Sequence, residues 1–96
     1  MRSYRIDIEE AKEIACQAAL DNAPDGGDDY NYWCLRSYTK MVDGLLSYYF
    51  EIKVRATYRQ QSWLFGRPLM SHDTYKYRVR IDASDGSVLG VRTLES

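Results

Sequence analysis

Two periods divide the chain. From Asp7 to Asn22, apolar residues recur at three- and four-residue steps: Ile8, Ala11, Ile14, Ala15, Ala18 and Ala19 share one face, with Glu9, Glu13 and Gln17 opposite. That is the pattern of an amphipathic helix. Asp7 stands where an N-cap belongs, and Glu10 follows three residues later as in a capping box. Glu9 and Glu10 put negative charge in the first turn, where the helix dipole favours it. Asn22-Ala23-Pro24 ends the segment. The stripe is mostly alanine, so the helix can lie close on a sheet. Cys16 and Leu20 fall beside the stripe and are expected either to flank the core or to form a small exposed apolar spot. The run Asp25-Gly26-Gly27-Asp28-Asp29 reads as a solvated acidic loop, since it lacks the ligand spacing and closing glutamate of a calcium loop.

From Tyr30 the period is two. Asp43-Gly44 between alternating residues signals a two-residue hairpin turn. Carried outward without a break, that turn sets Met41 opposite Leu46, Leu35 opposite Ile52 and Trp33 opposite Val54 on an apolar face. Lys40–Ser47, Tyr38–Tyr49, Arg36–Glu51 and Tyr32–Arg55 then pair on the polar face. A second hairpin turns at Ser84-Asp85-Gly86, read as a three-residue loop with a left-handed glycine; Ile81 is expected opposite Leu89 and Val79 opposite Val91. Tyr75, Tyr77, Val79 and Ile81 form the apolar side of the strand before it, and Lys76, Arg78, Arg80 and Asp82 the polar side. Residues 60–73 between the hairpins are too apolar for a plain solvent loop. They are expected to extend the flanking strands or cover the sheet end, or to project as a docking loop. A short extended segment at Tyr4–Ile6 is expected before the helix. The predicted architecture is α+β: a single domain over 1–96, with one N-terminal helix packed on a four-stranded antiparallel sheet.

Composition adds one asymmetry. Residues 1–44 hold five Lys/Arg against nine Asp/Glu, and residues 45–96 hold eight against five, so a net charge of −1 hides an acidic first half and a basic second half. Tyrosine is unusually frequent, with nine in 96 residues. No apolar run approaches the roughly 18 residues of a membrane helix, and no membrane partner is expected. The first residues lack the apolar core of a secretory signal, so the chain reads as cytoplasmic as written, or as secreted or envelope-bound if a leader or anchor has been removed. On that reading Cys16 and Cys34 are expected as reduced thiols.

Two stretches carry a family resemblance. Ile6-Asp7-Ile8-Glu9-Glu10-Ala11-Lys12-Glu13-Ile14-Ala15 resembles the EEAKEIA helix of PepSY domains. Tyr77 to Gly90, YRVRIDASDGSVLG, is similar to that family's closing pattern of alternating strand, Asp-Ala turn and glycine. The matches cover about a quarter of the chain. The resemblance implies a small cystatin-like α+β module that accompanies secreted peptidases or cell-envelope proteins and restrains proteolysis or binds a partner. The Gln61–Gly66 stretch does not match the inhibitory loop of true cystatins, so cysteine-protease inhibition is not implied.

Candidate chemistry is thin. His72 stands in a Ser-His-Asp string whose neighbours alternate in direction, and Cys34 is expected on the polar sheet face near Lys53. No phosphate-cradling glycine loop is present, and one histidine with two separated cysteines makes no zinc site. No catalytic, cofactor or metal residues are therefore assigned. The function expected is a non-catalytic protein-interaction module that restrains or regulates a peptidase. Its first candidate contact surface is the apolar segment with Trp63, Leu64, Phe65, Arg67, Leu69 and Met70, since aromatic anchors dominate interfaces. The second is the basic, tyrosine-rich sheet face with Tyr38, Tyr49, Arg55, Arg78 and Arg80. Tyr32, Arg36, Lys40, Lys53, Arg59 and Lys76 are expected on that face too. Two alternatives remain open: single-stranded nucleic acid on the same face, or a small bacterial or phage immunity or accessory protein that binds one toxin or enzyme. A homodimer through an edge strand is a further expected partner.

Overall fold

In the computed structural model, which describes residues 5–64 and 67–94 (side chains apart from 60–64 and 67–69), α1 runs Ile8–Asn22. The Asp7 carboxylate accepts from the Glu9 amide at 3.4 Å, and the Ala23 N–H donates to Ala19 and Leu20 carbonyls as the helix closes. Four strands follow: β1 Asp29–Val42, β2 Leu45–Leu64, β3 Arg67–Asp82 and β4 Val88–Leu94. They form one antiparallel sheet in the order β1-β2-β3-β4, with α1 on one face. The α+β arrangement is the one the two periods predict.

The core lies between α1 and the middle strands. Ala11, Ala15 and Ala19 meet Phe50, Ile52, Val54, Val79 and Ile81, all fully buried. Small residues on the helix let the large ones rise from the sheet. The helix is rolled slightly from its predicted stripe. Cys16 is buried and Leu20 packs against the core, while Ile8 is exposed. β1 flanks that side, and its Cys34 also packs against the core.

The first hairpin turns as expected, with Asp43 and Gly44 both at positive φ. Its register holds from Val42↔Leu45 to Arg36↔Glu51 and then shifts by one residue between Cys34 and Arg36. Below the shift, Cys34 faces Ile52, Trp33 faces Lys53 and Tyr32 faces Val54. The expected pairs Leu35–Ile52, Trp33–Val54 and Tyr32–Arg55 are therefore replaced. Leu35 is the extra residue of a bulge and is half exposed. Trp33 moves to the outer face and Tyr32 to the helix side, the reverse of expectation. Cys34 likewise leaves the polar face. The bulge seats Cys34 against the core and leaves the indole outside, where Lys53 and Arg55 lie over its ring.

In the second hairpin Val79 pairs with Val91 as predicted, but Ile81 opposes Val88 instead of Leu89. Leu89 is the bulged residue there. The turn is held by Gly86 N–H to the Asp82 carbonyl and by the Asp82 carboxylate, which accepts from the Ser84 amide and hydroxyl. Gly86 has φ +79°, and a Cβ there would stand 3.1 Å from the Cδ1 atoms of both Ile6 and Ile14. Gly86→Ala combines a left-handed backbone with a squeeze on the core, and should lower unfolding free energy by about 1–3 kcal/mol. Urea titration checks it. Gly90→Ala is the control: a Cβ at Gly90 meets nothing within 4 Å, and its φ is not positive.

Tyrosines explain how the helix ends are held. The Tyr48 hydroxyl donates to the Ile6 carbonyl at 3.1 Å and Tyr77 to the Asn22 carbonyl at 3.4 Å, so the middle strands fasten both helix ends. Tyr30 donates to the Pro24 carbonyl and accepts from the Gly27 amide, ordering part of the acidic loop. Ile6 N–H donates to the Ala83 carbonyl. That bond places Arg5–Ile6 beside the turn after β3; Tyr4 lies outside the described residues.

The sheet outruns the helix. At about 3.3 Å per residue β2 spans roughly 66 Å, matching the long dimension of a molecule that measures 66 × 23 × 18 Å. α1 is only about 22 Å long. β1 begins opposite Thr57, so beyond Thr57 and His72 the strands β2 and β3 continue as a two-stranded ribbon. Residues 60–64 and 67–73 thus extend the flanking strands by their backbone. The radius of gyration, 16.8 Å, exceeds the roughly 12.5 Å of a compact chain this long.

Candidate functional site

The outer face of the sheet, away from α1, is built from the alternate residues the core does not use. Strand register aligns them in rows. Tyr38, Tyr49, Arg80 and Gly90 form one row across all four strands; Arg36, Glu51, Arg78 and Arg92 form the next; Trp33, Lys53, Lys76 and Leu94 form the third.

The aromatic rings of this face are already occupied. Tyr38 and Tyr49 stack with centroids 5.0 Å apart and planes within 1°. The Arg36 guanidinium lies 4.9 Å from the Tyr38 ring, and that of Arg80 lies 5.9 Å from Tyr49. Trp33 carries both Lys53, at 5.8 Å, and Arg55, at 5.4 Å. Cation–π contact fixes these cations without neutralising them.

Charge on the face is unbalanced. Arg78 stands directly opposite Arg92, and Lys53 directly opposite Lys76. Like charges in opposed positions destabilise a sheet. Glu51 approaches Arg36 and Arg78 at 3.7 Å each, an ion pair too long for a hydrogen bond. Asp82, the other acid in the strand pattern, has its carboxylate engaged by Ser84. Arg80 Nε donates to buried Ser47 Oγ at 3.1 Å, which sets the direction of its fork. The Nε atoms of Arg55 and Arg78 are buried with no hydrogen-bond partner among the described residues.

A groove of about 390 Å³ opens in this face between Tyr38, Tyr49, Arg78, Arg80 and Arg92, with Gly90 among its lining residues. Of the predicted contact residues, Tyr38, Tyr49, Arg78 and Arg80 meet here, and Arg55 sits on Trp33 further along the face. Met70 is half exposed on the ribbon. Trp63, Leu64, Arg67 and Leu69 belong to the ribbon by backbone, but their side chains lie outside the described residues, as does Phe65 altogether. Sequence reasoning missed Gly90, Arg92 and Trp33. The first two were within reach, because the predicted Val79–Val91 pair already sets Arg80 opposite Gly90 and Arg78 opposite Arg92. Trp33 was hidden by the bulge.

A second concavity, about 440 Å³, runs along the helix flank between Glu9, Lys12, Glu13, Cys16, Gln17, Leu20 and Tyr32. Although larger, it offers mixed charge and no activated group: burial pushes the Cys16 thiol up, with the nearby Cys34 adding to the effect. A thiol raised in this way is a poor nucleophile. Both cysteines are free. His72 shares a contact of 3.0 Å between its Nδ1 and Thr57 Oγ1. Among the described residues no cluster of His, Cys, Asp and Glu is arranged to hold a metal ion, and no helix is long and apolar enough to cross a membrane.

Burial also raises the Tyr77 phenol. A group whose folded-state pKa lies above its unfolded value stabilises the fold below the unfolded pKa, and that contribution fades as pH rises through the folded one. Stability should therefore begin to fall above about pH 10, the ordinary tyrosine value. Tyr77→Phe should flatten the fall, as followed by circular dichroism across an alkaline series.

No family model matches the chain, and comparison with curated proteins and with solved structures returns no significant match.

Proposed function

We propose that this chain is a non-catalytic protein-interaction module of PepSY-like type, which docks an acidic segment of its partner on the outer sheet face and so restrains or regulates a peptidase. The observation that carries the acidic partner is the pair of directly opposed like charges, Arg78–Arg92 and Lys53–Lys76. A docked carboxylate relieves that repulsion, so the binding surface and the energetic imbalance coincide. The peptidase rests on the resemblance of the helix and closing hairpin alone. Single-stranded nucleic acid fits the same charge less well. Stacking bases need free ring faces, and here Tyr38, Tyr49 and Trp33 already bear cations or one another.

Fluorescence anisotropy with a glutamate-rich peptide and a single-stranded oligonucleotide, each at low and moderate salt, tests the reading. The peptide should bind with salt-sensitive affinity and tighter than the oligonucleotide. A preference for the oligonucleotide hands the face to nucleic acid, and failure of the peptide to bind at low salt ends the acidic-segment reading.

A further inference from the structure

We infer that the partner segment is extended and carries Asp or Glu at every second residue, with one carboxylate seated over Gly90 between Arg80 and the Arg78–Arg92 pair. This rests on the acidic-segment reading above and sharpens it. β3 presents Arg80, Arg78 and Lys76 on the outer face at two-residue steps, about 6.6–6.8 Å apart. An extended segment laid along the strand repeats its same-side side chains at that same interval, so alternate carboxylates fall on successive cationic rows.

Gly90 marks the anchor. Glycine inside a strand weakens it, and often signals a bulge or the close approach of another backbone or ligand. The bulge here is Leu89, and Gly90 itself has no positive φ, so its backbone conformation does not demand glycine. What glycine contributes is space: a Cβ at Gly90 meets nothing, and the gap lies in register with Arg80. Beside it the Arg78 guanidinium keeps its Nε buried without a partner among the described residues, and its Nη2, 3.7 Å from Glu51, is too far for a hydrogen bond there. Guanidinium groups recognise carboxylates through paired N–H donors. Arg80 is oriented by Ser47 and the Tyr49 ring, and Arg92 completes the far wall.

Two peptides of identical composition test this, one alternating Glu with Ser and one with the glutamates in a block, measured by anisotropy against wild type, Gly90→Val and Arg92→Gln. Valine fills the gap while suiting a strand, so the melting temperature should not fall. Wild type should bind the alternating peptide about tenfold tighter than the block, the scale of one charge-assisted hydrogen bond. Both variants should erase that preference, Gly90→Val without weakening the block peptide. Equal wild-type affinity for the two peptides overturns the spacing and the anchor, and a preference that survives both substitutions overturns the anchor, while in either case the acidic-segment reading stands. Failure of both peptides to bind wild type overturns the two together.

Discussion

Phe50→Ala is expected to leave the protein largely unfolded at physiological temperature. Phe50 is fully buried at the centre of the sheet, opposite Ser37 on β1 and Val79 on β3, with the Tyr48 ring tilted beside it at 6.5 Å. Its ring fills space that the small side chains of α1 leave open. Truncating a buried phenylalanine costs about 3–5 kcal/mol, and small domains have roughly 5 kcal/mol or little more to lose. Alanines facing a new cavity have no side-chain reach with which to close it, so the cost should sit at the upper end. Thermal and urea melts followed by far-ultraviolet circular dichroism measure this. A loss below about 1 kcal/mol, the average for point substitutions generally, would show that the helix–sheet layer is not the main source of stability.

The second large effect is on binding. Reversing Lys53 and Lys76 together to glutamate should reduce affinity for a glutamate-rich peptide by more than about a hundredfold, because like-charge juxtaposition across an interface costs several kcal/mol. These side chains are half-buried on the outer face and away from the helix. The double variant trades one like-charge pair for another, losing in addition only the Lys53 contact with Trp33, worth about 0.5–1 kcal/mol. The fold should survive while binding disappears, and that separation distinguishes a recognition surface from a structural one. The single changes should each lose less, and Lys53→Glu alone, which converts the opposed cations to an ion pair, should raise the melting temperature slightly. Peptide affinity unchanged in the double variant would remove this row from the recognition surface.

The two proposals draw on different parts of the molecule. Phe50, Ile52, Val54, Val79 and Ile81 are wholly committed to packing beneath α1. The outer face is under no such constraint, and its residues carry an imbalance of charge that packing does not need. Tyrosine serves both: Tyr48 and Tyr77 fasten the ends of α1 from the inner side, while Tyr38 and Tyr49 stack outside and hold arginines in place.

Much of this was legible along the chain. Helical spacing marked α1, its capping aspartate and its proline stop. Asp43-Gly44 and Ser84-Asp85-Gly86 marked two of the turns, and alternation assigned Val79, Ile81, Ile52 and Val54 to the core and Arg78, Arg80, Tyr38 and Tyr49 to the other face. These are local matters, because one residue's backbone preference and its neighbours' polarity suffice to set them. The tertiary structure decided what alternation could not. It placed the bulge at Leu35, which turned Trp33 outward and Cys34 inward, and it joined Gly90 and Arg92 to the groove beside Arg80. Whether a strand skips a residue depends on which side chain fits beneath a helix some fifteen positions away in sequence, and that competition is settled only when the two segments meet.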